Sequence, residues 1–516
     1  MENQVRKKKP KKEDHKQRAY LNSITSILDN VVKQMMGFFV SPFIVKGLGD
    51  SLYGVYHILL DTTSYANMAD IRTSQVLKWT IAQKRDVLNE DELRSEFTTG
   101  FLLTLALIPI VLLIGGILSW YAPILANVSE EYFTMVRVAS AIMVFSISFY
   151  KLMDLLESVL RGMNLGFKGM GIRSILLIIG GGLKILAITS GFGLIGLAIV
   201  QIIVGIITGI VFYWLVKKHV PWFGFGSTSK EKVLSYGKLS GWFMATMLAN
   251  MLLYHSEKVI LGFIAGPELV TVYVLTLFTS TAMKSMVDSV ISGVVPGIGN
   301  FFGKGEFEKI KASRKTIFLL IWWATFSLGI SILVLNNSFL SLWIGPGKYA
   351  GDIENLLIIL IAIQYTFYFT SGTFINATLD LQQKVSLSGL GAFTTILLSF
   401  ALVPHYEILG LCISILLGRL FMTIGLPAFL RKKINDNSPV FNLENARPAI
   451  IALIGLVIGA FIQQNIFITN WFFLILIGGI ITVLLAILYW FIGFSKGQKD
   501  PLKQNLSKIK ILNFKA

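Results

Sequence analysis

A single cysteine, Cys412, sits in an apolar stretch, which excludes intramolecular disulfides and any cysteine-based metal centre. The five histidines (His15, His57, His219, His255 and His405) never fall at ligand spacing, so no metal and no cofactor is expected. The chain lacks the Gly-x-x-x-x-Gly-Lys-Ser/Thr phosphate loop, which removes ATP as a drive. It also lacks a nucleophile constellation and the long outer loop of a membrane-embedded ligase or polymerase, so it reads as a non-enzyme. The basic run from Arg6 to Arg18 has no short apolar core and small-residue cleavage site behind it, as a cleavable signal would require. Charge is scarce too: it makes up 15% of the 516 residues, against about 25% in a soluble domain.

What is plentiful is apolar sequence, 54% of the chain. A helix needs about 20 apolar residues to cross a bilayer. On that scale about fourteen spans are expected, at 21–46, 52–77, 98–122, 132–158, 171–190, 193–216, 238–265, 268–298, 315–336, 353–378, 384–403, 407–430, 448–465 and 470–494. The fold class is therefore an all-α polytopic membrane protein. With both termini in the cytoplasm, 36 of the 46 lysines and arginines fall in cytoplasmic segments and only Lys46 and Lys348 fall in outer loops. That asymmetry is what the positive-inside rule demands. The net charge of +17 thus records topology, and nucleic acid is the wrong partner to infer from it.

The turn after the first span reads Gly49-Asp50-Ser51-Leu52-Tyr53-Gly54-Val55-Tyr56, and the turn after the seventh reads Gly266-Pro267-Glu268-Leu269-Val270-Thr271-Val272-Tyr273. Gly, Leu, Val and Tyr recur in register, and Phe149-Tyr150 recurs as Phe367-Tyr368 at nearly the same offset. A repeat of six helices leaves both copies in one orientation, the arrangement of transporters with parallel repeats and a site between halves. The expected organisation is a cytoplasmic basic tail (1–20), an N-lobe of helices one to six (21–216) and a cytoplasmic linker (217–237). A C-lobe of helices seven to twelve (238–430), a cytoplasmic loop (431–447), two appended helices (448–494) and a basic tail (495–516) follow.

Gly47-Leu48-Gly49 with Leu52-Tyr53-Gly54-Val55-Tyr56, then Asp70, Val159-Leu160-Arg161-Gly162, and Gly262 with Gly266-Pro267-Glu268 and Val272-Tyr273 together resemble the polysaccharide exporters of the MOP superfamily. These Wzx-type flippases are related to MATE drug antiporters and lipid II flippases. The resemblance covers about residues 20–430. It implies a MATE-like fold of two six-helix lobes. It also implies export of a polyprenyl-diphosphate-linked oligosaccharide across the cell membrane, with polysaccharide-assembly enzymes as partners. Many members carry Asp where this chain has Ser256-Glu257-Lys258, so an acid's role in span seven does not carry over directly.

Seven cations lie inside spans: Lys33, Arg72, Lys151, Lys184, Lys258, Lys284 and Arg419. A charge at bilayer depth costs about 2.5–3.5 kcal/mol on insertion scales, so it faces a cavity, a partner or a ligand. Lys33 lies about eleven residues, roughly 16 Å, from the inner end of its span, and Arg419 is equally central. One account is local pairing at helical spacing, Asp29 with Lys33, Lys151 with Asp154, and Lys284 with Asp288. Another is snorkelling, open to Arg72, Lys184 and Lys258. The functional account places Lys33, Arg419, Lys284, Arg72 and Lys151 around a diphosphate, with Asn30, Gln34, Gln364 and Tyr368 toward the sugar and rings such as Trp242 stacking on it. Asp29, Asp61, Asp70, Asp154 and Asp288 are the candidates for coupling to H⁺ or Na⁺. The competing reading is a MATE-like antiporter for small organic molecules, which would want an acidic cavity, or a lipid II-type flippase. A fluorescent protein fused to the C-terminus is expected to fluoresce, and alkaline phosphatase fused there to stay inactive. An active phosphatase would make the number of spans odd.

Overall fold

In the computed structural model, described for residues 12–69, 72–84, 89–376, 378, 380–437, 443–495 and 497–500, the chain is helical, with no strand among the described residues. In chain order the helices are α1 (Lys12–Ser64), α2 (Thr73–Lys84), α3 (Glu90–Leu125), α4 (Phe133–Gly162), α5 (Gly166–Thr189), α6 (Gly193–His219), α7 (Lys230–Tyr254) and α8 (Ser256–Ala265). They continue as α9 (Pro267–Thr276), α10 (Phe278–Gly303), α11 (Phe307–Trp343), α12 (Asp352–Asn376), α13 (Gln382–Gly418), α14 (Leu420–Lys433), α15 (Leu443–Gln463) and α16 (Trp471–Leu488). Among the described residues nine helical stretches are long and apolar enough to cross a membrane, or ten with the bent pair α9–α10. The protein is a multi-pass membrane protein. Two of the nine, Ile24–Met68 and Gln382–Lys433, each take in most or all of two expected spans.

Several expected spans are interrupted, at polar residues or at a proline where the cause is local. The second, 52–77, ends as a helix at Ser64, runs through a tight turn at Tyr65–Ala69 and resumes as α2. The hydroxyls of Thr63 and Ser64 bond back to the carbonyls of Leu59 and Leu60 at 2.6 and 2.7 Å, competing with the helical ladder where the break occurs. The seventh is split between α7 and α8 at His255, beside Ser256, whose hydroxyl bonds back to the Leu252 carbonyl. The eighth is α9 and α10, bent by 50°. The expected separation of the eleventh from the twelfth falls at Glu407, whose backbone is non-helical three residues after Pro404, and the twelfth is itself interrupted at Arg419.

The helices group into two compact units, one of residues 1–47, 66–120 and 134–244, the other of residues 48–65, 121–133 and 245–516. In the first, Leu77 and Ile81 of α2 meet Phe97 of α3, Leu155 and Val159 of α4 and Phe212 of α6. The expected linker is packed here as well. Trp222 is buried, its carbonyl accepts from Arg94 at 2.8 Å, and the Gly226 amide donates to Thr98 at 2.8 Å. In the second, Leu253, Val287, Ile317, Tyr368, Phe374 and Met422 form one core. The appended helices lie on α11, with Ala452 and Leu456 of α15 against Ile330 and Leu333. Lipid is as apolar as these side chains, so close packing and polar contacts, rather than expulsion from water, hold such helices together.

The repeated turns have the same backbone geometry and touch within the second unit. Gly49 has φ 73° and ψ 174°, and Gly266 has φ 92° and ψ 158°, a conformation that side chains with a Cβ resist. Thr271 donates its hydroxyl to the Asp50 carbonyl at 2.6 Å. At the equivalent place in the other copy, Gly54 lies against the Pro267 carbonyl, and a methyl group would fall on that oxygen. Each copy therefore offers its sixth residue to the second carbonyl of the other, the reciprocity of a pseudo-two-fold contact. Gly54→Ala is expected to destabilise the protein by about 1–3 kcal/mol, while Gly116→Ala, where the space is open, is neutral or stabilising. Thermal unfolding in detergent checks the pair, and equal melting temperatures would refute the tight contact.

Candidate functional site

The second unit gathers a line of polar side chains from several largely apolar helices. It begins at the junction of α13 and α14, where Arg419 is 2% exposed. Its guanidinium forms an ion pair with Glu257 of α8, donates to the Leu253 carbonyl at 3.0 Å and lies 5.2 Å from the Tyr254 ring centre. The other Glu257 oxygen accepts from Tyr273 of α9 at 3.1 Å. The hydroxyls of Tyr254 and Tyr368 are 3.1 Å apart. Tyr365, one turn along α12, donates to Asp288 at 2.9 Å, and the Lys284 ammonium sits 5.3 Å from the Tyr365 ring centre. A second cluster flanks Arg419's partner in sequence: Asp61 of α1 takes His255 Nδ1 and Lys258 Nζ, both at 2.8 Å.

Each member is there for a legible local reason. Arg419 occupies the junction between two helices, where its own backbone amide still closes on Ile415 while its side chain turns inward. His255 is the residue between α7 and α8, so its ring is free of the helix face and reaches Asp61. Glu257, Lys258 and Tyr254 then fan out on both sides of that break. Three cations (Arg419, Lys258, Lys284) meet three carboxylates (Glu257, Asp61, Asp288), so the cluster is close to neutral.

The first unit has its own charged site. Glu157 of α4 pairs with Arg161 and lies 3.4 Å from Arg173 of α5. Asp29 of α1 is 3.9 Å from Arg173 and accepts from Ser174 at 3.3 Å. Beside them a cavity of ≈ 260 Å³ is lined by Tyr150, Met153, Asp154, Glu157, Arg173 and Phe212, among others.

The sequence-derived candidates divide accordingly. Arg419, Lys284, Asp61, Asp288 and Tyr368 come together in the second unit. Gln364 donates to the Leu416 carbonyl at 3.0 Å nearby. Asp29, Asp154 and the half-buried Asn30 and Gln34 are in the first unit, where Lys151 is buried within α4 and Lys33 is exposed on α1. Arg72 sits in a left-handed turn before α2, with its carbonyl accepting from the Gln75 amide. Asp70, and the side chain of Trp242, lie outside the described residues. Two pairings expected from helical spacing are corrected. Asp29 turns to Arg173 and Ser174 rather than to Lys33, and Asp288 turns to Tyr365 rather than closing an ion pair with Lys284. Lys258 does not snorkel; it is held by Asp61. Glu257, His255, Tyr254 and Tyr273 are not among the site candidates drawn from the sequence, where Tyr273 stands only in the repeated turn and Ser256-Glu257-Lys258 only as three polar residues in a row in an apolar run.

Comparison with known proteins fits this architecture. Residues 20–302 match the family described as polysaccharide biosynthesis protein. The chain belongs to that family. This family member is 21% identical over 354 residues to the uncharacterized membrane protein EpsK of Bacillus subtilis (strain 168), covering 63% of the chain. It spans 65% of the length of EpsK, a little under two thirds. Its fold is that of MOP-superfamily transporters. The lipid II flippase MurJ, in its inward closed conformation, superposes with a TM-score of 0.65 at 15% identity, over 91% of this chain and 98% of MurJ. The Vibrio cholerae MATE transporter VcmN, in a point-mutant form, gives 0.61 at 15% identity, over 83% and 98%. A MOP superfamily transporter from Pyrococcus furiosus, described as having a binding pocket of reverse polarity, gives 0.54 at 12% identity, over 81% and 94%.

In this family member the buried Arg419–Glu257 pair yields a direct prediction. Removing one partner leaves the other charge buried and uncompensated, at a cost of about 3–5 kcal/mol. Glu257→Gln is expected to lower the melting temperature in detergent markedly, and Glu257→Gln with Arg419→Met to recover most of the loss. A double variant as unstable as the sum of the two single ones would show that the pair is not coupled.

Proposed function

We propose that this protein is a flippase that moves a polyprenyl-diphosphate-linked oligosaccharide, a precursor of cell-surface polysaccharide, from the inner to the outer leaflet of the cell membrane by alternating access. Family membership and the MurJ-like fold support the reaction class. The observation that carries the ligand chemistry is Lys33. It is exposed on α1 at membrane depth, and among the described residues it has no ion pair, because Asp29 one turn away is engaged by Arg173 and Ser174. A lysine held open at that depth fits a mobile anion, and a diphosphate supplies one. Arg72 and Lys151 are the further proposed anion contacts in the first unit and Lys284 the one in the second, with Asn30 and Gln34, and separately Gln364 and Tyr368, as the proposed sugar contacts. Arg419, occupied by Glu257, joins the path only when that pair opens. Asp29, Asp61, Asp154 and Asp288, with Asp70, are the proposed points of H⁺ or Na⁺ coupling.

A second reading, export of a small organic cation, draws support from the carboxylates of Asp154 and Glu157 on the cavity in the first unit. The two readings separate in proteoliposomes. A charge-assisted contact is worth about 1.5–3 kcal/mol, so Lys33→Gln is expected to slow translocation of a polyprenyl-diphosphate oligosaccharide tenfold or more, with Lys33→Arg near wild type. Wild-type translocation by Lys33→Gln combined with Lys284→Gln would overturn the anion path. Uptake of organic cations without any lipid-diphosphate translocation would favour the second reading.

A further inference from the structure

The last helices of the chain reach the break in span eight through a line of buried amides. At the break, Asn336 of α11 donates to the Thr276 carbonyl at 2.8 Å and accepts from the Thr279 hydroxyl at 2.9 Å, so one side chain grips both arms of the bend. The same amide nitrogen donates to Asn355 Oδ1 of α12 at 2.9 Å. Asn355 in turn donates to the Leu333 carbonyl at 3.0 Å and to Gln463 Oε1 at 3.2 Å. Gln463, the last residue of α15, donates to the Asp352 carbonyl at 3.2 Å. Thr276 is pinned from the other side by the Ala350 amide at 3.0 Å.

The burial of this line makes it directional. Asn336 is 1% exposed, Asn355 0% and Gln463 7%. Water cannot replace a lost partner there, so each amide is oriented by the next, and a change at one end leaves the neighbour unsatisfied. The bend matters because of what its arms carry. Tyr273, which holds Glu257, is on α9, and Lys284 and Asp288 are on α10. A carbonyl freed at a break inside a membrane helix must be satisfied by a neighbour, or the helix closes its ladder and straightens.

We propose that Asn336, Asn355 and Gln463 are positioning residues that hold the 50° bend between α9 and α10, with α15 as the far anchor. Helix α15 thereby helps to set where Lys284 and Asp288 stand relative to Tyr273. Gln463 touches neither arm of the bend, so its influence on the bend separates this role from simple docking of α15, which Ala452 and Leu456 secure by apolar contact.

The test is a distance between nitroxides on Glu268→Cys and Met286→Cys, both exposed positions on opposite arms, in the full-length protein with Cys412 buried and unlabelled. Straightening the bend lengthens that distance by about 2–3 Å at 1.5 Å rise per residue. Gln463→Leu and Asn355→Leu are expected to lengthen or broaden it and to cut translocation several-fold. An unchanged distance in folded Gln463→Leu and Asn355→Leu overturns the proposal. The translocation arm rests on the proposed function and the distance arm does not. A lengthened distance with wild-type translocation therefore upholds the relay and instead refutes the part of that function assigned to α10.

Discussion

A charge inside an apolar membrane must be met by an opposite charge or a hydrogen bond from somewhere else in the chain, and the second unit is organised by that requirement. Arg419 and Glu257 are 162 residues apart in sequence and pair directly. Stripping two ions of water costs several kcal/mol each, and only good geometry with further hydrogen bonds makes such a pair tolerable. The Leu253 carbonyl and the Tyr273 hydroxyl supply those further bonds. The pair therefore fixes the junction of α13 and α14 against α8 and α9. Asp61 does the same for α1 against α7 and α8 through His255 and Lys258.

Helix breaks make these meetings possible. A continuous helix presents polar groups only along its faces, while a break frees a backbone group and turns a side chain. Irregular backbone at membrane depth persists where protein satisfies it. Three of the interruptions carry a polar partner for that purpose: His255 on Asp61, Thr276 on Asn336, and Arg419 on Glu257. The interruptions expected least from hydropathy are thus the ones that build the site. A scan for apolar windows smooths over Ser64 or His255 because the flanking residues remain apolar.

The fold class and the repeated turn were legible in the sequence because they depend on composition and short spacing. The partners of the charged residues were not. Helical spacing proposes Asp29 with Lys33 and Lys284 with Asp288, but spacing alone is a weak constraint, since for the exposed Lys33 such a pair is worth about 0.2–0.5 kcal/mol. Hydrogen bonds that involve a charged group are worth about 1.5–3 kcal/mol. Arg173 and Ser174 outcompete Lys33 for Asp29, and Tyr365 outcompetes Lys284 for Asp288. Those competitors lie 77 to 145 residues away, beyond any local pattern.

The two copies of the repeat hold the same turn but have divided the charges between them. Counting from the matched glycines, Glu257 stands nine residues before Gly266, and the same place before Gly49 is Val40. Lys33 stands sixteen before Gly49, and its counterpart is the uncharged Asn250. Tyr273 and Tyr56 occupy equivalent places, so the register holds where the function does not differ. The copies therefore differ in charge at Val40/Glu257 and Lys33/Asn250 on a backbone that still contacts itself reciprocally at Gly54 and Thr271. Those two contacts involve a backbone carbonyl, a glycine and a hydroxyl, so the charges elsewhere on the helices can diverge without disturbing the turn.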